Sequence, residues 1–150
     1  DSRMVKVYMD LCVIQRPLDN PDQVRIVLEG DAVLGVLSLC ETGEVELMSS
    51  EALLYETERN PSSVRRVHAE SVLALAKTTL YIDQQAETRA SRFAQHGIKA
   101  LDALHLALAE TGHADYFCTC DDRLSRKAQR IEDLGVKVLS PVELAQEIEQ

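Results

Sequence analysis

The sequence predicts an α/β fold, with a central, mainly parallel five-stranded sheet covered by helices on both faces. Three observations predict it. Short strand-like runs alternate with longer runs of helical period, the pattern that builds a parallel sheet through helical crossovers. The strand runs are apolar almost throughout, as expected of strands buried on both sides. The chain has 150 residues, 45% of them hydrophobic, which suits one compact domain with a real core. That domain is expected to span residues 4–150, since Asp1-Ser2-Arg3 reads as a remnant preceding Met4.

The elements follow in order. Val5 to Met9 is the first strand, and a turn through Pro17, Asn20 and Pro21 follows it. Asp22 to Thr42 has helical periodicity, and Gly30 and Gly35 are expected to split it. Val45 to Ser49 is the second strand. Glu51 to Arg59 is a helix that Pro61 forces to end. Ser62 to Ala76 is a further helix, and Thr79 to Ile82 the third strand. Asp83 caps a helix from Gln84 to Gln95 that Gly97 closes. Ala100 to Thr111 is a helix closed by Gly112. Tyr116 to Cys120 is the fourth strand, Arg123 to Ile131 a helix, and Val136 to Leu139 the fifth strand. Pro141 opens a last helix. The chain shows no internal repeat, low-complexity tract or linker.

Composition removes several function classes. The formal net charge of −9 counts against a module that holds nucleic acid on a broad basic surface. It leaves a nuclease open, because a carboxylate site attracts phosphate once it holds cations. No apolar run approaches the roughly 20 residues that span a bilayer, and no signal peptide or lipidation motif is evident. Cys12, Cys40, Cys118 and Cys120 form no CxxC pair and have no histidine at zinc-ligand spacing. They read as free thiols of a cytoplasmic protein.

The acids carry the chemistry. In open α/β sheets, sites form at the carboxyl ends of the strands. Asp10 directly follows the first strand and Asp121 the fourth. Asp102 starts the helix that leads down into the fourth strand, so it begins at the same rim. Glu56 lies within the first two turns of the helix that leaves the second strand, and its side chain can lean back to that rim. Each acid also has a plainer reading. Asp121 or Asp122 caps the helix at Arg123. Asp10 is a turn residue. Glu56, among Glu46, Glu51 and Glu58, is a solvated surface acid. Asp102 resists such a reading most, because a charge in the nearly apolar stretch Ile98 to Ala109 is costly unless paired or metal-bound. Four converging carboxylates suit Mg²⁺ or Mn²⁺, which prefer oxygen ligands and promote phosphodiester hydrolysis.

At this point the chain resembles a known family. Val7-Tyr8-Met9-Asp10-Leu11-Cys12-Val13, the Ser50 to Glu56 stretch, Asp102-Ala103-Leu104-His105-Leu106-Ala107-Leu108-Ala109 and Thr119-Cys120-Asp121-Asp122-Arg123-Leu124 are similar to the motifs of PIN-domain proteins. The likeness is greatest to the VapC-like toxins of bacterial toxin–antitoxin pairs. It implies a three-layer α/β/α fold and Mg²⁺- or Mn²⁺-dependent cleavage of single-stranded RNA. It also implies a homodimer and a cognate antitoxin. Asp10, Glu56, Asp102 and Asp121 fall at the family's acidic positions, with Asp10, Asp102 and Asp121 expected as metal ligands. The family often has Thr after its first Asp, where this chain has Leu11. The doublet leaves Asp121 or Asp122 as the metal-facing acid, and Asp121 is favoured because it ends the strand. His105, one turn beyond Asp102, touches substrate, bonds an acid or is simply packed. Arg16, Arg123 and Lys127 hold RNA phosphate or are solvated.

Competing readings remain. A phospho-receiver domain also carries rim acids and Mg²⁺, and Asp83 after the third strand invites that reading. It requires a Lys ending the fifth strand, where Ser140-Pro141 stand. A haloacid-dehalogenase-type phosphatase requires Asp where Cys12 stands. A non-catalytic interaction domain on the same fold is the main alternative.

Overall fold

The computed structural model describes residues 3–149. Asp1 and Ser2 of the remnant-like start, and Gln150 at the end of the expected domain, lie outside them. Five strands, β1 (Val5–Met9), β2 (Val45–Ser50), β3 (Thr78–Leu80), β4 (Tyr116–Cys118) and β5 (Lys137–Leu139), form one sheet. Their order is β3-β2-β1-β4-β5, and every pairing is parallel. This order differs from the 2-1-3-4-5 arrangement of receiver domains and removes that reading.

Among the described residues, eight α-helices connect and follow the strands: α1 (Leu11–Gln15), α2 (Val24–Thr42), α3 (Glu51–Glu58), α4 (Ser63–Leu73), α5 (Gln84–Ala94), α6 (Ala100–Thr111), α7 (Asp122–Gln129) and α8 (Pro141–Ile148). α5 packs on α6, and α2 on α8. Right-handed crossovers place helices on both faces of a parallel sheet. The central strand β1 is flanked by β2 and β4, and Val7, Tyr8 and Met9 are fully buried beside Leu47 and Phe117.

Three expectations are corrected. The helix over residues 22–42 is not split: α2 runs unbroken from Val24. A mid-helix glycine costs about 1 kcal/mol relative to alanine, and burial of Val33, Val36, Leu37 and Cys40 outweighs it. The turn after β1 contains a short helix, α1, because Asp10 caps it and Val13 and Ile14 are apolar and buried. The fourth strand ends at Cys118, so Asp121 does not directly follow it. Thr119 still donates its N–H to Leu139 O at 3.0 Å, but the backbone then turns to make Asp121 the cap of α7. Asp83 caps α5 as expected, accepting from Ala86 N at 2.9 Å. Among the described residues, no helix is long and apolar enough to cross a membrane.

Candidate active site

Parallel pairing brings the carboxyl ends of β1, β2 and β4 to one rim. Met9 pairs with Cys118, and Asp10 donates its N–H to Cys118 O at 2.9 Å. That step sets Asp10 beside Thr119. Asp10 is the N-cap of α1, and its Oδ1 accepts the Leu11 N–H at 2.9 Å. Its Oδ2 accepts the Thr119 hydroxyl at 3.1 Å and the Cys12 thiol at 3.5 Å. The carboxyl group is buried, and burial raises its pKa. The charge of Glu56 raises it further, while His105, Thr119 and the Leu11 N–H oppose the shift.

Glu56 extends from α3 to the same place. Its Oε1 meets His105 Nε2 at 2.6 Å. Ligand atoms of Asp10, Glu56 and His105 all lie within 4.8 Å of one another. Asp102 and Asp121, expected as ligands beside Asp10, fall in no such group of three among the described residues. They are nevertheless electrostatically close. Burial raises the pKa of Asp102, and the charges of Asp10, Asp121 and Glu56 all push the same way, against His105. Asp102 sits in the first turn of α6, half-buried.

Asp121 also performs the plainer role foreseen for it. Its Oδ1 accepts the N–H groups of Arg123 at 2.9 Å and Leu124 at 3.2 Å. A cleft of about 470 Å³ opens beside it, lined by Cys12, Arg16, Asp19, Glu56, Arg65 and Asp121. Asp121 also lines a smaller cleft, together with Asp102, Arg123 and Lys127. Asp121 therefore borders both clefts, with a further acid in each. Asp122 is turned elsewhere: both of its oxygens bind Arg25, at 2.8 and 2.9 Å. Arg16 is held by Asp19 at 3.0 Å and by Glu29 at 2.8 Å, so its charge is largely matched locally.

His105 is fully buried and both of its ring nitrogens are engaged, Nδ1 with Tyr8 Oη at 2.6 Å and Nε2 with Glu56. Its geometry is that of a group bonding an acid, not of a free ligand. Three polar residues at the rim had no role assigned from sequence: Tyr8, Ser50 and Thr119. A tyrosine in a strand buried on both faces signals a partner for its hydroxyl. A serine directly before a helix signals a cap. Neither signal names the partner across the sheet.

The donor set fits a hard divalent cation. Two carboxylates approach within 4.8 Å, and burial first, with neighbouring carboxylates adding to it, disfavours the charged forms of Asp10 and Asp102, which a cation relieves.

The sequence profile of the PIN domain matches residues 11–130. The chain belongs to the PIN domain family. No curated protein matches its sequence. Solved structures similar to this PIN-domain chain include DNA-bound VapBC from Salmonella typhimurium, with 17% identity, covering 92% of this chain and 99% of that one, at a TM-score of 0.58. VapBC2 from Rickettsia felis bound to a DNA fragment from their promoter is also similar, with 13% identity over 91% and 98% of the two chains and a TM-score of 0.58. PAE2754 from Pyrobaculum aerophilum has 14% identity over 98% of each chain and a TM-score of 0.53. At such identities the likeness is one of fold. It agrees with the three-layer α/β/α arrangement expected of a PIN domain.

Proposed function

We propose that this PIN-domain protein is an Mg²⁺- or Mn²⁺-dependent endoribonuclease that cleaves single-stranded RNA, the toxin of a toxin–antitoxin pair. One observation carries the reading: Asp10 and Glu56 converge at the carboxyl rim of the sheet, and their charges, with that of Asp121, bear on Asp102. Asp10 and Glu56 would hold the metal, with Asp102 and Asp121 completing the acidic set. A bound divalent cation supplies an activated water and stabilises the leaving oxygen of a phosphodiester. The chain's own residues fix the carboxylates: the Leu11 N–H and the Thr119 hydroxyl hold Asp10, and the N–H groups of α7 hold Asp121. Arg16 and Arg65 are matched by Asp19 and Glu29, so Arg123 and Lys127, which line the smaller cleft, would meet RNA phosphate. A cognate antitoxin, a homodimer, a cytoplasmic setting and a single domain over residues 4–150 belong to the same reading. The VapBC fold likeness supports the antitoxin.

The test is cleavage of a mixed single-stranded RNA pool with Mn²⁺, with Mg²⁺ and with EDTA. Cleavage is expected only with metal, and Asp10→Asn and Asp102→Asn are expected to abolish it. Cleavage that survives EDTA, or both substitutions, removes this mechanism. An inert wild type that binds a partner through the rim would favour the interaction-domain alternative.

A further inference from the structure

The buried side of the site holds an unbroken chain of polar side chains that no step above uses. Ser50 ends β2, Tyr8 lies in the central strand and His105 lies on α6, all with 0 or 1% exposure. The Ser50 Oγ is 2.7 Å from the Tyr8 hydroxyl, that hydroxyl is 2.6 Å from His105 Nδ1, and His105 Nε2 is 2.6 Å from Glu56 Oε1. Three hydroxyl or imidazole groups amid Leu, Val and Phe are costly to bury, and such a network specifies geometry only when every member is satisfied.

Here every member is satisfied, and the protons can be assigned. Ser50 Oγ accepts the Leu53 N–H at 3.0 Å, which caps α3. Its own proton goes to the Tyr8 oxygen. The Tyr8 proton then goes to His105 Nδ1, leaving the Nε2–H to donate to Glu56. If the imidazole is protonated, the first two bonds reverse, and Nε2–H still points at Glu56. Burial holds the Tyr8 hydroxyl well above its usual pKa, so it keeps its proton in either arrangement. Tyr8 is itself locked by stacking on Phe117, with ring centroids 5.6 Å apart.

We infer that Tyr8 and Ser50 are positioning residues which, through His105, fix the Glu56 carboxylate beside Asp10 and so set the cation affinity of the site. The relay ties the α3 acid to the central strand and to α6. This inference rests on the proposed metal site. Ligand-orienting partners of this kind typically contribute 10- to 100-fold in metal affinity.

The test is calorimetric titration of Mn²⁺ into the full chain without RNA. Tyr8→Phe keeps the ring and its stacking and removes only the hydroxyl. Its Mn²⁺ dissociation constant is expected to rise about 10- to 100-fold. His105→Gln, which retains an N–H donor for Glu56 but does not span to Tyr8, is expected to weaken binding likewise. A folded Tyr8→Phe protein that melts lower in EDTA but binds Mn²⁺ within twofold of wild type shows a merely structural hydroxyl and overturns the relay alone. A wild type that binds no Mn²⁺ overturns the relay and the metal-site reading together. Nitrogen-15 NMR of the wild-type histidine rings in EDTA tests the wiring independently of any variant. It is expected to show a proton on His105 Nε2, and a bare Nε2 overturns the relay.

Discussion

Thr119 donates its hydroxyl to Asp10 Oδ2 across 3.1 Å, from just past the end of β4 to the residue that directly follows β1. The Thr119 Oγ1 in turn accepts the Asp121 N–H at 3.1 Å. One fully buried hydroxyl thus links two of the four acids. PIN-domain chains often carry a threonine directly after the first aspartate, and Leu11 stands there in this one. Thr119 supplies a hydroxyl to that aspartate from across the sheet instead.

Thr119→Val keeps the side-chain shape and removes both bonds. Asp10 and the Asp121 N–H then lose a partner in a desolvated place, which costs about 1–3 kcal/mol. The variant is expected to unfold at lower urea by that amount and to lose RNA cleavage. Thr119→Ser, which retains the hydroxyl, is expected to keep most of both. Equal stability of Thr119→Val and wild type in urea would show that the hydroxyl is not holding the rim.

The acids give the metal-free protein a definite pH dependence. The folded-state pKa values of Asp10 and Asp102 are raised by burial and by neighbouring carboxylates. Between the unfolded value near 3.8 and the raised folded value, the folded state binds more protons than the unfolded one. The contribution of each acid to stability is therefore fully present below pH 3.8 and is lost as pH rises through the folded pKa. Asp102→Asn removes one such loss. In EDTA, its melting temperature relative to wild type is expected to rise with pH from about 4 towards 7. A falling difference would mean that Asp102 is a structurally favourable charge instead.

Much of the fold and part of the site were legible in the sequence, for physical reasons. A strand buried on both faces has to be apolar throughout, so Val5–Met9 and Val45–Ser50 stand out locally. Asp102 is conspicuous because a charge amid Leu and Ala is costly. Glu56 was the acid with the weakest local signal, since it stands among other exposed glutamates. Yet it approaches Asp10 within 4.8 Å, because His105 on a different helix draws it inward. The hydroxyls of Ser50, Tyr8 and Thr119 work through partners 42, 97 and 109 residues away, and separations of that size leave no local pattern. The split expected at Gly30 and Gly35 failed for the same reason: local propensity favours a break, and burial against the rest of the chain decides otherwise.

The acidic doublet separates by charge and by cap. Asp121 caps α7 through Oδ1, and asparagine is an equally good N-cap. Asp121→Asn is therefore expected to melt like wild type while losing RNA cleavage. Asp122 is turned to Arg25, and Asp122→Asn is expected to leave cleavage unchanged. Thermal melts and cleavage assays of the two variants side by side check this. The reverse pattern, with Asp122→Asn inactive and Asp121→Asn active, would transfer the role to the second acid.

A cation that binds only the folded protein stabilises it by mass action, by about 2.7 kcal/mol at a hundredfold excess over its dissociation constant. For a chain of this size that corresponds to roughly 5–10 °C in melting temperature. Wild type is expected to gain that much on addition of Mn²⁺ relative to EDTA. Glu56→Gln retains an acceptor for His105 but removes the charge, and it is expected to lose most of the gain. Asp102→Asn is expected to do the same while starting from an equal or higher melting temperature in EDTA. Asp122→Asn, whose carboxylate faces Arg25 and not the cluster, is expected to retain the gain in full. An Asp102 that instead serves as the partner of a basic residue or as a favourable helix-start charge behaves oppositely: its removal lowers the melting temperature in EDTA, and the response to Mn²⁺ survives. Melting curves of the four proteins in the two buffers distinguish these cases. An Asp102→Asn protein that is destabilised in EDTA and still gains fully from Mn²⁺ would take Asp102 out of the metal site.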